Sequence, residues 1–364
     1  MKAAIRLLEP ETVNIPCFAH TLNLIVKKSL NDLPIISQIR EKCRRLVAYF
    51  KHSNVANDKL KETQILVNTP SHKLILEVET RWNSTYEMFQ RLLEQKQAII
   101  LALTSLRFNF ELLTDSEWNV LSTIVPILRV FFFITEEISS EKNVNLSKII
   151  PIKRQLLTFL QRSACDLDLE KELRQRLIHY MEFYLGNIEN NKYYVISTLL
   201  DPRFKTLGFP DNESISRARR LLNDELINYS YNVMPMNETN IIQVVNEQNG
   251  RDEYTSFWCS FDNEVNTLNA STSNSSNIIT EIENYLMTDY LNRTADPLIF
   301  WFTNTVKYPH LSMLVRQYFC IMGTSVPSER VFSKAGNIID KKRSRLKENI
   351  VNQILFLNSY VNNK

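Results

Sequence analysis

Near the start of the chain, Cys17-Phe-Ala-His20 places a thiol and an imidazole three positions apart. On one side of a helix start, this pair would suit two of the four ligands of a tetrahedral zinc ion. The nearest further candidates, Cys43 and His52, form no second compact pair, so we predict no metal here. The favoured alternative is structural, with Cys17 as a small buried apolar residue and His20 in a helix-end hydrogen bond.

A second candidate, Thr80-Arg-Trp-Asn-Ser-Thr-Tyr86, combines a cation, a large aromatic ring and several cap-forming residues. One interpretation is a helix N-terminus, with Asn83 or Ser84 as the cap and Trp82 packed as a staple. The other is nucleotide binding, because a stacking Trp82 beside a phosphate-binding Arg81 suits an unstacked base. The segment alone favours the structural interpretation.

A third candidate lies near the C-terminus, where Pro327-Ser-Glu-Arg-Val-Phe-Ser333 precedes a basic stretch. Against one acid, Asp340, this stretch carries seven basic residues: Arg330, Lys334, Lys341, Lys342, Arg343, Arg345 and Lys347. Such a density of positive charge binds phosphates with salt-dependent affinity. A solvated loop between two buried helices has the same composition, so both interpretations stand. The five histidines have no partners at a recognisable spacing, and no Ser/His/Asp nucleophile is predicted.

Composition excludes several classes of protein. Only five glycines occur in 364 residues, and the closest pair, Gly323 and Gly336, leaves no GxGxxG or GxxxxGK[ST] phosphate loop. Nucleotide-cofactor enzymes built on those loops are therefore excluded. A net charge of +3 means that any affinity for nucleic acid must come from local clusters. Five separated cysteines indicate a reducing compartment, and Val120–Ile134 is too short to predict a membrane span.

The elements that position these residues are predicted from apolar spacing. From Trp118 to Phe132, apolar residues step by three and four after a cap at Asp115–Ser116, which predicts a buried helix. The same pattern predicts helices over Arg40–Phe50, Tyr86–Leu103, Leu146–Leu160, Glu170–Leu185, Ser214–Tyr231, Ile278–Leu291, Asp296–Phe302, Leu311–Met322 and Asn349–Val361. These apolar stripes predict core packing and no cofactor site.

Three segments depart from the helical pattern. Lys73–Val78 and Tyr193–Leu199 are short apolar runs that we predict as strands, although periodicity does not separate them from buried helical segments. Met236–Asn277 is rich in Asn, Ser and Thr, and we predict a flexible loop there, interrupted by Tyr254–Phe261.

Together, these segments resemble the hAT superfamily of DNA transposases and their BED-zinc-finger-associated relatives. Their order and approximate spacing match along nearly the whole chain, and the tail is similar to the hAT C-terminal dimerisation region. The matching segments are Ile15-Pro-Cys-Phe-Ala-His-Thr-Leu-Asn-Leu24, Thr80–Tyr86, Leu199-Leu-Asp-Pro-Arg-Phe-Lys205, Asp296-Pro-Leu, Tyr308-Pro-His-Leu, Ser325–Gly336 and Lys342-Arg-Ser-Arg-Leu346.

The resemblance implies a mainly α fold, in which an incomplete RNase-H-like α/β core is interrupted by a large all-helical insertion. Residues 1–30 would be a remnant of the first half of the core, and residues 31–235 the helical insertion domain. Residues 236–277 would be the flexible loop. Residues 278–364 would form the dimerisation region with the remaining core helix.

The resemblance also implies roles for single residues. Glu329 matches the glutamate that, with two aspartates, holds divalent metal ions for DNA strand cleavage and transfer. Trp82 matches a tryptophan that stacks on distorted DNA, and Cys17 and His20 match the family's Cys-x-x-His element. The implied DNA-contacting residues are Arg81, Trp82, Lys341, Lys342, Arg343 and Arg345.

Both aspartates and the BED finger lack counterparts in these 364 residues, and one carboxylate cannot assemble a two-metal site. We therefore predict a catalytically inactive, transposase-derived nuclear protein that acts as a homodimer or larger homo-oligomer. It would need no cofactor, and Mg²⁺ would matter only if the aspartates were supplied from elsewhere. The predicted dimer contacts are Leu314, Phe319, Phe332, Ile350, Ile354, Leu355 and Leu357. The alternatives are a DNA-binding protein that retains the insertion-domain surface, and a fragment of an active metal-dependent transposase.

Overall fold

The computed structural model describes residues 15–106, 111–139, 144–161, 168–233, 277–338 and 348–362. The described residues are mainly helical, and none of them forms a β-strand. The helices are α1 (Phe18–Asn31), α2 (Pro34–His52), α3 (Asn54–Leu66), α4 (Trp82–Glu94), α5 (Lys96–Ser105), α6 (Asp115–Ile138), α7 (Ile149–Gln161), α8 (Asp168–Leu185), α9 (Lys192–Leu200), α10 (Asn212–Val233), α11 (277–287), α12 (Pro297–Thr303), α13 (Pro309–Tyr318), α14 (Val326–Ile338) and α15 (Glu348–Asn362).

Local sequence explains where several helices begin. Thr114 and Glu117 form a reciprocal capping box at the start of α6, which satisfies two backbone N–H groups. Asp296 caps α12 through the N–H of Leu298. Proline occupies the first position of α2, α12 and α13, where its missing N–H costs no helical hydrogen bond.

The chain divides into two compact units. Unit 1 contains the described residues within Met1–Lys142, Gln155–Gly186 and Gly323–Lys364. Its centre is α1, which packs against α2, α4, α6 and α8, while α3 packs on α5 and α14 packs on α15. By length and composition α6 could span a membrane, but much of its apolar surface is buried inside the unit. The described part of unit 1 therefore uses α6 as a core helix.

Unit 2 contains the described residues within Asn143–Arg154 and Asn187–Met322. Its central helix is α9, which packs against α10, α13 and the short 3₁₀ helix Leu146–Lys148. Every side chain from Tyr194 to Leu200 is buried. The segment predicted as a strand, Tyr193–Leu199, is therefore a buried helix, capped by the Asn191 side chain. Burial on all sides removed the periodicity that would have identified it.

The other predicted strand, Lys73–Val78, is irregular, and within it only Leu74 and Glu77 are buried. The predicted helix Tyr86–Leu103 is two helices, α4 and α5, separated at Gln95. The Gln95 side chain is buried and hydrogen-bonds Gln64 and the carbonyl of Pro70. The buried amide at the break thus has partners outside both helices.

The other predicted helices are confirmed, with ends shifted by a few residues. The flexible-loop prediction for 236–277 lies outside the described residues except at its last position, which begins α11. An α/β core was predicted, but no β-strand occurs in the part of the chain that the structure describes. The two units divide the tail after Met322, and the predicted domain boundaries stay a prediction.

Candidate functional site

The Cys17 segment and the segment that precedes Glu329 meet inside unit 1, although they lie 307 positions apart. The Phe18 N–H donates to the carbonyl of Gly323 at 2.9 Å. The Ser325 N–H donates to the Cys17 Sγ at 3.2 Å, and the hydroxyl of Thr324 lies 3.4 Å from the same sulfur. We call this set of contacts, from Cys17 and Phe18 to residues 323–325, the tail junction.

The thiol at this junction is half-buried and free. Burial raises the pKa of Cys17, but hydrogen bonds from Ser325 and Thr324 to the sulfur outweigh it, so the pKa lies below its ordinary value. His20 is exposed. In the described parts of the chain, no three His, Cys, Asp or Glu side chains cluster as metal ligands would. The expectation of a buried apolar Cys17 is therefore corrected, because the thiol is half-buried and its sulfur is in hydrogen-bond contact with Thr324 and Ser325.

Glu329 lies in the first turn of α14 with its side chain exposed. Its carboxylate accepts a hydrogen bond of 2.7 Å from the Ser325 hydroxyl, and its N–H donates to the Ser325 carbonyl. Ser325 therefore contacts Cys17 at the tail junction and also pairs with Glu329 in the first turn of α14. An exposed single carboxylate can bind one cation weakly, but a two-metal site needs several more oxygen ligands.

Trp82 does not present its ring to the solvent. It is the first residue of α4, its side chain is 2% exposed, and its backbone N–H donates to the Asn23 side-chain oxygen. A buried ring cannot stack on a base, so the structure corrects the stacking prediction. The cap prediction is also corrected, because Arg81 occupies the N-cap position and Ser84 donates to backbone carbonyls. Arg81 is exposed, and its DNA contact stays a prediction.

Asp201, in the Leu199–Lys205 segment, is a wholly buried carboxylate of unit 2. Arg203 donates to it from Nε at 2.8 Å and from Nη2 at 2.6 Å, and Ser147 donates its hydroxyl at 2.6 Å. Arg203 is itself almost completely buried. These contacts tie the end of α9 to the 3₁₀ helix before α7, which makes this segment structural.

Lys205, at the end of the same segment, caps α11. Its ammonium donates to the carbonyls of Tyr285, Thr288 and Asp289 and to the Thr288 hydroxyl, at 2.6–3.2 Å. It also lies 4.9 Å from the centre of the Tyr285 ring. A cation at a helix C-terminus satisfies carbonyls that have no partner within the helix.

The ionisation of Lys205 predicts a pH dependence. Burial lowers its pKa from the ordinary 10.5 to about 8. Between these values the unfolded chain holds a proton that the folded chain has released, so stability rises with pH in that window. From pH 8 to 10.5, wild type should gain stability relative to Lys205→Met, by at most about 3 kcal/mol because the oxygen acceptors favour the ammonium.

Urea unfolding of both proteins at several pH values between 7.5 and 10 measures this difference. Lys307→Met, which removes an exposed lysine of the same unit, is the matched control and should follow wild type at every pH. Parallel pH profiles for wild type and Lys205→Met would contradict the prediction.

Exposed apolar side chains mark the surface of the tail. Of the predicted dimer contacts, Phe332, Ile350, Ile354 and Leu357 are exposed, and Leu355 is partly exposed. Leu314 and Phe319 are corrected, because both are buried within unit 2 and belong to its core. The predicted contacts at Lys341, Lys342, Arg343 and Arg345 lie outside the described residues.

Sequence reasoning missed a second apolar surface in unit 2. Phe302 is 84% exposed and Val306 is 96% exposed, and Ile299 is exposed beside them. The signal was present in the run Leu298-Ile-Phe-Trp-Phe302, which is apolar around its whole circumference. A helix that packs on one face buries only part of such a run within its own unit. Trp301 is the aromatic side chain of the run that is buried.

Comparison with known proteins matches two parts of the chain to families. Residues 15–127 match the model described as the ZBED1 RNase-like helical domain, and residues 281–361 match the hAT family C-terminal dimerisation region. The chain is a hAT-derived protein.

Similar curated proteins extend over most of this hAT-derived chain. Human zinc finger BED domain-containing protein 4 is 26% identical over 96% of the chain, and human zinc finger BED domain-containing protein 6 is 24% identical over 96%. The putative AC transposase of Zea mays is 23% identical over 96%. The hAT-derived chain spans 29%, 38% and 44% of these three relatives, respectively.

The family matches agree with the sequence resemblance, which is confirmed. In the hAT-derived chain, the dimerisation-region match contains both apolar surfaces, Phe302 with Val306 in unit 2 and Phe332 with Leu357 in unit 1. The helical-domain match contains Cys17, Arg81 and Trp82. The tail junction thus joins the matched helical domain to the matched dimerisation region.

Proposed function

We propose that this hAT-derived chain acts by self-association through the apolar surface of α14 and α15. The observation that carries the proposal is the exposure of large apolar side chains there. Phe332 is 75% exposed, and Val331, Ile350, Phe356 and Leu357 are exposed with it. Exposed apolar patches are characteristic of protein interaction sites, and these residues lie on two helices that pack together.

The packing within the tail supports this proposal. α14 packs on α15, and Val351 is buried, whereas the other α15 side chains whose burial is described are exposed or partly exposed. The exposed residues therefore remain available after the two helices have met. Full burial of a Phe or Leu side chain contributes roughly 1.5–3 kcal/mol, so each of these exposed residues would stabilise a homodimer that buries it. The symmetry of a homodimer would present the same surface twice.

Size-exclusion chromatography with light scattering of the full chain tests self-association. We expect a mass of two chains at micromolar concentration, with dissociation on dilution. A single-chain mass at every concentration up to 100-fold above that range would overturn the proposal.

We further propose that these 364 residues do not cleave DNA by themselves and that the protein resides in the nucleus. The cleavage proposal is supported by the surroundings of Glu329, whose described partner is a serine and not a second carboxylate. The nuclear proposal is supported by the BED-type and transposase-type relatives. Imaging of a fluorescent fusion tests the location.

A nicking assay with supercoiled DNA and Mg²⁺ or Mn²⁺ tests the cleavage proposal. We expect no product above the background of the Glu329→Gln variant. Metal-dependent nicking by the wild-type chain that Glu329→Gln abolishes would show an active enzyme and contradict the proposal.

A further inference from the structure

We propose that the tail junction is a latch, in which Cys17 acts as a positioning residue for α14 and thereby for the surface through which two chains associate. The first part of this proposal concerns the single chain. The second part rests on the proposed self-association.

The tail junction lies at the place where the chain returns to unit 1. The chain leaves unit 1 after Gly186 and re-enters it at Gly323, with unit 2 between. On its return, the carbonyl of Gly323 accepts the Phe18 N–H, and the next two residues contact the Cys17 sulfur. The tail is therefore fixed by the start of α1 at the place where it rejoins the unit.

The hydrogen bonds have a consistent direction. The Thr324 hydroxyl oxygen already accepts the Val326 N–H at 3.2 Å, and on this ground we assign the Thr324 hydroxyl as the donor to the Cys17 sulfur. The Ser325 N–H donates to the same sulfur, so the thiol group accepts two hydrogen bonds. The lowered pKa of Cys17 agrees with this arrangement, because both bonds favour the thiolate.

These bonds set the first turn of α14. The Ser325 carbonyl accepts the Glu329 N–H, and the Ser325 hydroxyl donates to the Glu329 carboxylate. A shift of Ser325 would move this turn and the Phe332 ring one turn later. The latch thus fixes the orientation in which unit 1 presents Phe332.

Hydrogen exchange of the full chain, read by mass spectrometry over residues 323–338, tests the latch directly. Cys17→Ala removes the acceptor of two hydrogen bonds, and we expect exchange in this segment to rise about tenfold. Cys17→Ser retains an acceptor and should restore most of the protection. Cys43→Ala removes the buried thiol of α2 and should leave exchange at 323–338 unchanged.

Thr324→Val provides a second approach to the same contact and does not depend on whether Cys17→Ala folds. It should raise exchange at 323–338, and the double variant should rise less than the product of the two single effects. Wild-type protection in folded Cys17→Ala or in Thr324→Val would overturn the latch. An equal rise in Cys43→Ala would also overturn it, because the effect would then be global.

The dimer dissociation constant, measured by analytical ultracentrifugation, tests the second part. Cys17→Ala should raise it about three- to tenfold and Cys17→Ser should return it towards wild type. A change in exchange without a change in dissociation constant would confine the latch to the single chain. If the wild type is a monomer, the proposed function fails, while the exchange result still decides whether the latch exists.

Discussion

Replacement of Asp201 by alanine is expected to destabilise unit 2 strongly. The carboxylate is wholly buried and holds the guanidinium of Arg203, which is 4% exposed, by two hydrogen bonds. Removal of one partner leaves a buried charge without its counter-ion, which typically costs about 3–5 kcal/mol. The Ser147 hydroxyl loses its acceptor as well. Since whole domains are stable by about 5–15 kcal/mol, this loss is a large part of the total.

Urea unfolding followed by circular dichroism measures the loss, and hydrogen exchange over α9 and α13 assigns it to unit 2. The matched control is Asp168→Ala, because the Asp168 carboxylate is 99% exposed and, among the described residues, pairs with Lys171 at the surface. Its loss should change stability far less than the loss of Asp201, because exposed pairs and charges at a helix start contribute about 1 kcal/mol or less. A difference below about 1 kcal/mol between Asp201→Ala and wild type would contradict the structural role.

The sequence resemblance located the Leu199–Lys205 segment but not its role. A charged motif has the same appearance whether it binds a ligand or holds two helices together, because both uses need fixed Asp and Arg side chains. Burial distinguishes the structural use from ligand binding. Asp201 and Lys205 lose almost all contact with solvent only after segments distant in the sequence have packed on them. That information is non-local and is absent from a motif.

Helices were predictable where one face is buried, as in α6, since apolar residues then recur at helical spacing. The error at α9 has the opposite cause, because burial on all sides leaves no polar face to mark the period. The predicted DNA-stacking role of Trp82 failed for a similar reason, because it depended on burial that the sequence does not show. Its position before an apolar helix predicted a helix start correctly, but ring exposure depends on packing around Asn23 and its neighbours.

Apolar spacing also could not separate the core from an interface. Leu314 and Phe332 are both apolar residues on amphipathic tail helices, yet one is buried and the other is 75% exposed. The tail junction was outside sequence reasoning altogether, because Cys17 and Ser325 are 308 positions apart. Only the folded chain brings the Cys-x-x-His element to the helix that carries Glu329.

Introduction of charge at Phe332 and Leu357 is expected to convert the proposed dimer into a monomer. Both side chains are exposed in the single chain, so glutamate at either position meets water there and leaves the fold intact. In the dimer, each glutamate would lose its hydration without a partner, and the apolar contact would be lost as well. Central apolar contacts of interfaces typically contribute about 2 kcal/mol or more each, so Phe332→Glu with Leu357→Glu should raise the dissociation constant at least ~100-fold.

Sedimentation over a range of concentrations measures the constant, and thermal unfolding shows whether the variant keeps its fold. Phe183→Glu is the matched control, because Phe183 is an equally exposed phenylalanine of unit 1 on α8, outside the matched dimerisation region. It adds one negative charge, as each of the two tail substitutions does, and should leave the dissociation constant within about twofold of wild type. If Phe183→Glu dissociates the dimer as strongly as the tail variant, net charge is the cause and the contact surface lies elsewhere. If the tail variant remains a dimer while folded, α14 and α15 do not form the interface, and the exposed surface of Phe302 and Val306 in unit 2 becomes the site where charge should act.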